Sequence, residues 1–257
     1  MFLKKKVDKN FLSQNGYIVL DTDLENNHEF KLLVNEIYKH LNFKLKSIEL
    51  KKMGGYVMGN FGINMGPFGP KLYTMIFKKQ FLKLFEILTG NQINFYDIFY
   101  GGNLVMPKKG KQNFHIDGAF KKEMYLISIA TEDVTLTNGP TEICSGSHVK
   151  ELKYWKFFFS KKKKKKLLLK KGQILIRRHN LWHRGTKNLS NKPRLLLSFI
   201  LTPKLYNNKI DPISSNLEIL PNFFKTTLLG RVQEFSYVYL SGLHLSFKLL
   251  ISLIKQK

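Results

Sequence analysis

Cys144 is the one cysteine in 257 residues. A single thiol cannot staple a secreted fold with disulfides, nor build the thiolate cages of structural zinc or iron–sulfur sites. Acidic residues are scarce as well, 18 Asp and Glu against 43 Lys and Arg, a formal net charge of +25. Long apolar runs are missing. The most apolar stretch, 222–254, is interrupted by Lys225, Arg231, Glu234, His244 and Lys248, and so fails the requirement of about 20 nearly charge-free residues for a membrane span. The opening Met1-Phe2-Leu3-Lys4-Lys5-Lys6 carries no apolar stretch suited to a signal peptide, so the expected location is the reducing cytoplasm.

A basic excess of this size ordinarily points to nucleic acid or an anionic membrane. Here it is lysine rather than arginine, in a chain also rich in Asn, Ile, Leu and Phe, as an AT-rich coding bias would produce. Segment 149–171 concentrates it, with 11 lysines, including the run Lys161 to Lys166, against the single acid Glu151. It reads as a solvated insertion or helix face. Nucleic acid is accordingly not expected as a partner.

Apolar content of 43% is enough for a substantial core in one domain. Phe30, Leu33, Val34, Ile37, Tyr38 and Leu41 form the stripe of an amphipathic helix after a strand at Tyr17 to Leu20. A second helix is expected at Phe81 to Leu88, closed by Gly90. From Asn94 the pattern turns to strands at Phe95–Met106, Asn113–Asp117, Met124–Thr131, Gln173–Arg178 and Arg194–Leu201. The expected fold is mostly β with flanking α-helices, a double-stranded β-helix or cupin-like jelly-roll barrel. One domain would comprise an N-terminal strand and helices (1–93), the jelly-roll core (94–202) with its basic insertion, and a C-terminal helical tail (203–257).

The residues that carry chemistry begin with His115-Ile116-Asp117. In an extended strand residues i and i+2 share a face, so both side chains can reach one metal ion while His183 arrives from another strand. Two imidazoles and a carboxylate leave open coordination positions, which suits non-haem Fe(II) better than structural zinc. An isolated His-X-Asp is more often a hydrogen-bonded surface pair. Context shifts the balance. Asn113-Phe114-His115-Ile116-Asp117-Gly118, then the loop Asn138-Gly139-Pro140 through Ser145-Gly146-Ser147-His148, then Trp182-His183-Arg184-Gly185-Thr186 leading to Pro193-Arg194, together resemble the phytanoyl-CoA dioxygenase (PhyH) family of Fe(II)- and 2-oxoglutarate-dependent oxygenases. The resemblance extends from about Gly16 to Ile200.

That resemblance implies His115, Asp117 and His183 as iron ligands and Arg194 as the residue gripping the distal carboxylate of 2-oxoglutarate, with O2 as the other cosubstrate. A planar guanidinium holds a carboxylate through two parallel hydrogen bonds. Asn103, Thr186 and Ser198 are further candidates for cosubstrate contacts, Ser198 because it shares a strand face with Arg194. A carboxylate at Asp117 favours hydroxylation over halogenation. The family loop usually has proline where Cys144 or Ser145 stands, and Ile116 replaces a residue often polar in relatives. The polar turn 188–193 is expected to bring His183 and Arg194 together across a hairpin. His148 and His179 are not expected as ligands, Trp182 and Phe114 are expected as packing walls, and Cys144 as a buried filler. Arg177 and Arg178 alternate on a strand, one reaching substrate or solvent.

The expected activity is a dioxygenase hydroxylating a small metabolite or a lipid- or carrier-linked substrate. A metal-binding cupin-like protein without oxidative activity, and a nucleic-acid- or protein-modifying oxygenase, are the alternatives.

Overall fold

The computed structural model describes residues 8–118, 120, 123–206, 214–240, 242, 244 and 246. A short helix α1 (Phe11–Asn15) leads into β1 (Tyr17–Leu20), and three helices follow, α2 (His28–Ser47), α3 (Phe68–Ile76) and α4 (Lys79–Thr89), with β2 (Asn60–Asn64) between the first two. Next come β3 (Tyr96–Val105), β4 (Tyr125–Ala130), β5 (Thr141–Cys144), α5 (Tyr154–Phe158), β6 (Lys164–Leu167), β7 (Ile174–Arg178), β8 (His183–Gly185) and β9 (Arg194–Pro203). The chain then forms β10 (Glu218–Leu220) and α6 (Leu228–Tyr239).

Local chemistry sets the helix ends. Asn27 caps α2, its Oδ1 accepting the Phe30 N–H at 2.8 Å, and Glu29 in the first turn with Lys44 and Lys46 in the last complement the helix dipole. Phe30, Leu33, Val34, Ile37 and Leu41 are its buried residues, the stripe expected from their spacing. Gly90 closes α4 at φ 76°, in the left-handed region that lets its N–H reach back to Glu86 O.

Strands pair antiparallel in a seven-stranded sheet ordered β1-β7-β4-β9-β3-β2-β10 and a three-stranded sheet ordered β6-β5-β8. The two sheets give the double-stranded β-helix architecture without closing into a hydrogen-bonded barrel. β9 lies at the centre of the larger sheet, and its two faces have separate tasks. Leu195, Leu197, Phe199 and Leu201 join Phe30, Ile37, Leu72, Phe81 and Phe85 in the main core beneath the helices. On the other face Leu196, Ser198 and Ile200 line a cavity, continuing the alternation from Arg194. Three strands of the larger sheet, β1, β2 and β10, come from outside 94–202. The jelly roll is therefore assembled from most of the chain.

Three expectations need correction. Asn113–Asp117 is not a strand; only His115 forms a bridge, antiparallel to His183, so His115 and Asp117 are carried by a loop pinned at one point. No β8–β9 hairpin exists, because β8 belongs to the small sheet and β9 to the large one. Residues 186–193 cross between sheets, tied by Asn188, whose side chain donates to Val105 O at 3.0 Å and Lys192 O at 2.8 Å. The basic segment is not merely a solvated insertion. It contributes α5 and β6, and β6 forms the outer edge of the small sheet with Lys164, Lys165 and Lys166 exposed. Lysines along an edge discourage pairing with another chain.

Much of the tail 241–257 lies outside the described residues. Within them, α6 packs on the same molecule, where the Glu234 carboxylate accepts the N–H groups of Gly55 at 3.0 Å and Met58 at 2.8 Å. Among the described residues, no helix is long and apolar enough to cross a membrane.

Candidate metal centre

Two strips of backbone assemble the site. His115 and His183 exchange N–H to O bonds of 3.0 Å in both directions, and the Asp117 N–H donates to His179 O at 2.9 Å. The loop carrying His115 and Asp117 is thereby zipped to the segment entering β8. Gln112 extends the zipper: its N–H donates to Gly185 O at 3.0 Å, and its Oε1 accepts the Gly185 N–H at 2.6 Å. A Cβ at Gly185 would stand 2.8 Å from that Oε1, so any other residue there would require the Gln112 side chain to shift.

Both imidazoles are oriented alike. Nδ1 of His115 lies 2.9 Å from Asn113 O and Nδ1 of His183 lies 2.9 Å from Leu181 O. A carbonyl can only accept, so each Nδ1 carries the hydrogen and each Nε2 presents a lone pair to the centre. From there His115 Nε2 is 3.5 Å from Asp117 Oδ1, and His183 Nε2 is 3.5 Å from Asp117 Oδ2. One donor atom from each of the three residues falls within 4.8 Å of the others. Bonds of about 2.1 Å to a shared ion place neighbouring donors roughly 3.0–3.4 Å apart, so the cluster needs only slight contraction around a metal.

Protonation favours the same use. Burial works to raise the Asp117 pKa, but Arg177, His183 and His115 together hold it well below the usual carboxylate range. Burial, reinforced by Arg177, keeps His183 well below the usual imidazole value despite the opposing pull of Asp117. The carboxylate is ionised and His183 neutral around pH 7, the states a divalent metal requires.

The cluster opens on a cavity of about 440 Å³. Asn103 and Ser198 line it, as do Gln112, Ser128, Leu196, Arg177, Asn222 and Phe223. Ser198 and Ser128 share a hydrogen bond of 2.9 Å, and Asn103 Nδ2 donates to Asn60 Oδ1 at 2.8 Å. Thr186 does not line the cavity; its hydroxyl donates to Pro140 O at 2.7 Å, which turns it toward the loop rather than toward a cosubstrate.

Arg194 sits one alternation beyond Leu196 on the cavity-facing side of β9, almost completely buried at 1% exposure. It does not contribute to the cavity wall as the side chains now stand. Its Nη2 donates to Gly139 O at 2.7 Å, while Nε and Nη1 have no hydrogen-bond partner among the described residues. Burial lowers its pKa to about 10, against the raising influence of Glu132 and Tyr38, so it stays cationic. A buried guanidinium with two unused N–H groups is what a carboxylate ligand would satisfy. The residues present thus fit both a divalent ion and a carboxylate-bearing chelator.

Other expectations concern the surroundings. Trp182 stacks on Phe157 with centroids 4.0 Å apart and forms a small cluster with Phe114 and the buried Cys144. His148 reaches Ser13 O at 2.8 Å, tying the loop to α1. His179 lies 3.2 Å through Nδ1 from Met124 O. Neither belongs to the donor cluster.

Gln112, Asn222 and Phe223 were not anticipated. Gln112 lies three residues before His115, where proximity to the motif was a usable signal. Asn222 and Phe223 come from the far end of the sequence. Phe223 holds φ at 63° and meets the His115 ring edge-on, centroids 4.9 Å apart.

Residues 93–196 match the family model described as phytanoyl-CoA dioxygenase (PhyH). No curated protein matches the chain as a sequence. Among solved structures it is similar to EctD from S. alaskensis with bound Fe, at 15% identity, covering 80% of this chain and 78% of that one, with a TM-score of 0.57. It is similar to the epimerase SnoN in complex with Fe3+, alpha ketoglutarate and nogalamycin RO, at 15% identity, 83% and 93% coverage and a TM-score of 0.56. A third similarity is to the non-heme alpha ketoglutarate dependent carbocyclase SnoK from nogalamycin biosynthesis, at 13% identity, 82% and 94% coverage and a TM-score of 0.55. At these identities the likeness is one of fold.

Proposed function

From the match of residues 93–196 to the phytanoyl-CoA dioxygenase family model, we propose that the chain is an Fe(II)- and 2-oxoglutarate-dependent dioxygenase hydroxylating a small substrate. One observation carries the reading: His115, Asp117 and His183 present convergent donor atoms at the wall of a cavity. Structural relatives solved with Fe, Fe3+ or alpha ketoglutarate support the choice of ion and cosubstrate.

Iron and 2-oxoglutarate, when bound, supply the O2-dependent oxidation of a C–H bond. The chain's own residues supply placement. His115, Asp117 and His183 would hold the ion. Arg194 would receive the distal carboxylate of 2-oxoglutarate on its two unpartnered N–H groups. Ser198 and Asn103 line the space before it and would add hydrogen bonds, while Leu196 would pack against the cosubstrate chain. Met124, Leu126, Ile200 and Phe223 give the rest of the cavity an apolar character suited to the carbon skeleton of a small metabolite or a lipid- or carrier-linked group. A reducing compartment, which keeps iron ferrous, suits this activity.

Anaerobic titration of the protein with Fe(II) and then 2-oxoglutarate tests the assignment. A weak visible band near about 500 nm is expected for the chelate. It should be lost in His183→Ala and weakened severalfold in apparent affinity in Arg194→Ala. Metal binding without any such band in the wild-type protein would leave a non-oxidative metal protein as the better account.

A further inference from the structure

Among the described residues that line the cavity, Arg177 is the one Lys or Arg, and it is only 7% exposed. It occupies β7, opposite Leu126 of β4, and points from the sheet toward the ligand cluster. Its Nη2 donates to Asp117 Oδ2 at 2.6 Å. Its Nη1 stands 3.5 Å from Nδ1 of His183, the nitrogen that faces Leu181 O and not the donor cluster. The guanidinium therefore holds the carboxylate by a hydrogen bond and lies beside the back of the imidazole, outside the position a metal would take.

We propose that Arg177 is a positioning residue that sets the charge of the metal site and so strengthens its hold on an anionic co-ligand. The inference rests on the dioxygenase reading above. With Asp117 alone, two neutral imidazoles and one carboxylate would leave a bound divalent ion with a net charge of one. The Asp117–Arg177 pair is neutral, so the ion keeps its full double charge and draws the anionic 2-oxo carboxylate end of a chelator more strongly, the distal carboxylate being left to Arg194. Charge matching counts here because Arg177 and His183 are buried, 7% and 5% exposed. By accepting Arg177 on Oδ2, Asp117 also keeps Oδ1 as the oxygen free of a strong partner, favouring a single carboxylate donor and an open position beside it.

Arg177 thereby differs from an ordinary orienting partner. Loss of a neutral or anionic group that steers a ligand typically weakens the metal about 10–100-fold. Loss of a cation beside the ion should strengthen it. The two roles predict opposite signs.

The test compares wild type with Arg177→Met, close in bulk but uncharged, and Arg177→Lys, which keeps the charge with a different geometry. Isothermal titration with Co(II) under anaerobic conditions gives metal affinity, and a second titration of the Co(II)-loaded proteins gives affinity for 2-oxoglutarate and for the monoanion pyruvate. In Arg177→Met the metal is expected to bind about tenfold tighter and 2-oxoglutarate about tenfold weaker, with pyruvate, which presents the same 2-oxo carboxylate end, weakened to a like extent. Arg177→Lys should recover most of the 2-oxoglutarate affinity. If metal and 2-oxoglutarate affinity fall together in Arg177→Met, or if neither moves, the proposal is overturned and Arg177 is structural or idle. Thermal unfolding of the metal-free variants identifies a misfolded Arg177→Met, in which case Arg177→Lys decides: loss of 2-oxoglutarate affinity despite a retained charge overturns the charge argument. Wild-type protein that binds Co(II) but not 2-oxoglutarate sinks the dioxygenase reading, while the metal titrations still judge the effect of Arg177 on the ion.

Discussion

At the scale of single residues, burial decides which groups carry charge. His148 shows this away from the metal centre. Its imidazole packs against Gly16, where a Cβ would meet Nδ1 at 2.5 Å, and glycine there also supplies the positive φ of 79° that ends α1. Burial, with Arg178 and Lys162 nearby, lowers the His148 pKa from 6.5, and the bond to Ser13 only partly restores it. Because the unfolded chain takes up this proton first, the neutral imidazole's contribution is complete above about pH 6.5 and lost as pH falls, by at most about 1.4 kcal/mol per pH unit. Urea denaturation of the metal-free protein at pH 7, 6 and 5 should show that slope, and His148→Asn should flatten it. A variant with an unchanged slope would assign the acid sensitivity elsewhere.

Among the elements, α6 is unusual in how it is held. Its buried residues are only Gly230, Glu234 and Tyr237, while Leu228, Leu229, Val232 and Phe235 are exposed. Polar ties therefore count for more than apolar packing. Glu234 satisfies two amides of the 53–59 loop, and Tyr237 hydrogen-bonds Asn113 at the start of the ligand loop. Glu234→Ala would leave the Gly55 and Met58 amides without their acceptor, at a cost of about 2 kcal/mol. That loss is expected to appear as local opening: hydrogen exchange at Gly55 and Met58 should accelerate by roughly 30-fold while the β3, β4 and β9 amides stay protected. Uniform acceleration across the sheet would mean that α6 is part of the global unfolding unit.

On the scale of the whole molecule, the family-matching segment and the fold have different extents. The family match ends at residue 196, yet the seven-stranded sheet includes β1, β2 and β10 from beyond 93–196, and its core is roofed by α2, α3 and α4. A fragment comprising 94–202 would expose the face built on Leu195, Leu197, Phe199 and Leu201 and lose three strands. It is expected to be aggregation-prone or molten, with no sigmoidal urea transition and weak near-ultraviolet circular dichroism. A cooperative transition would show that the flanking elements are accessory.

Periodicity and composition were sufficient where the physics is local. The apolar stripe of α2, the Gly90 stop of α4, and β1, β3, β4, β7 and β9 follow from side-chain alternation and cap chemistry within a few residues. The order of the ligand-bearing blocks was legible too, since His115, Asp117 and His183 each lie in a distinctive short motif. Pairing across distance was not. That β8 and β9 join different sheets, that 113–117 is a loop held by one bridge, and that Lys164 to Lys166 form an edge strand depend on partners far away in sequence. The same holds for Phe223 against His115 and for Arg177 on Asp117 rather than in solvent. Helix caps and strand alternation are written in neighbouring residues, whereas register, side-chain direction at an irregular loop and the net charge of a buried site arise only when separate segments are packed together and removed from water.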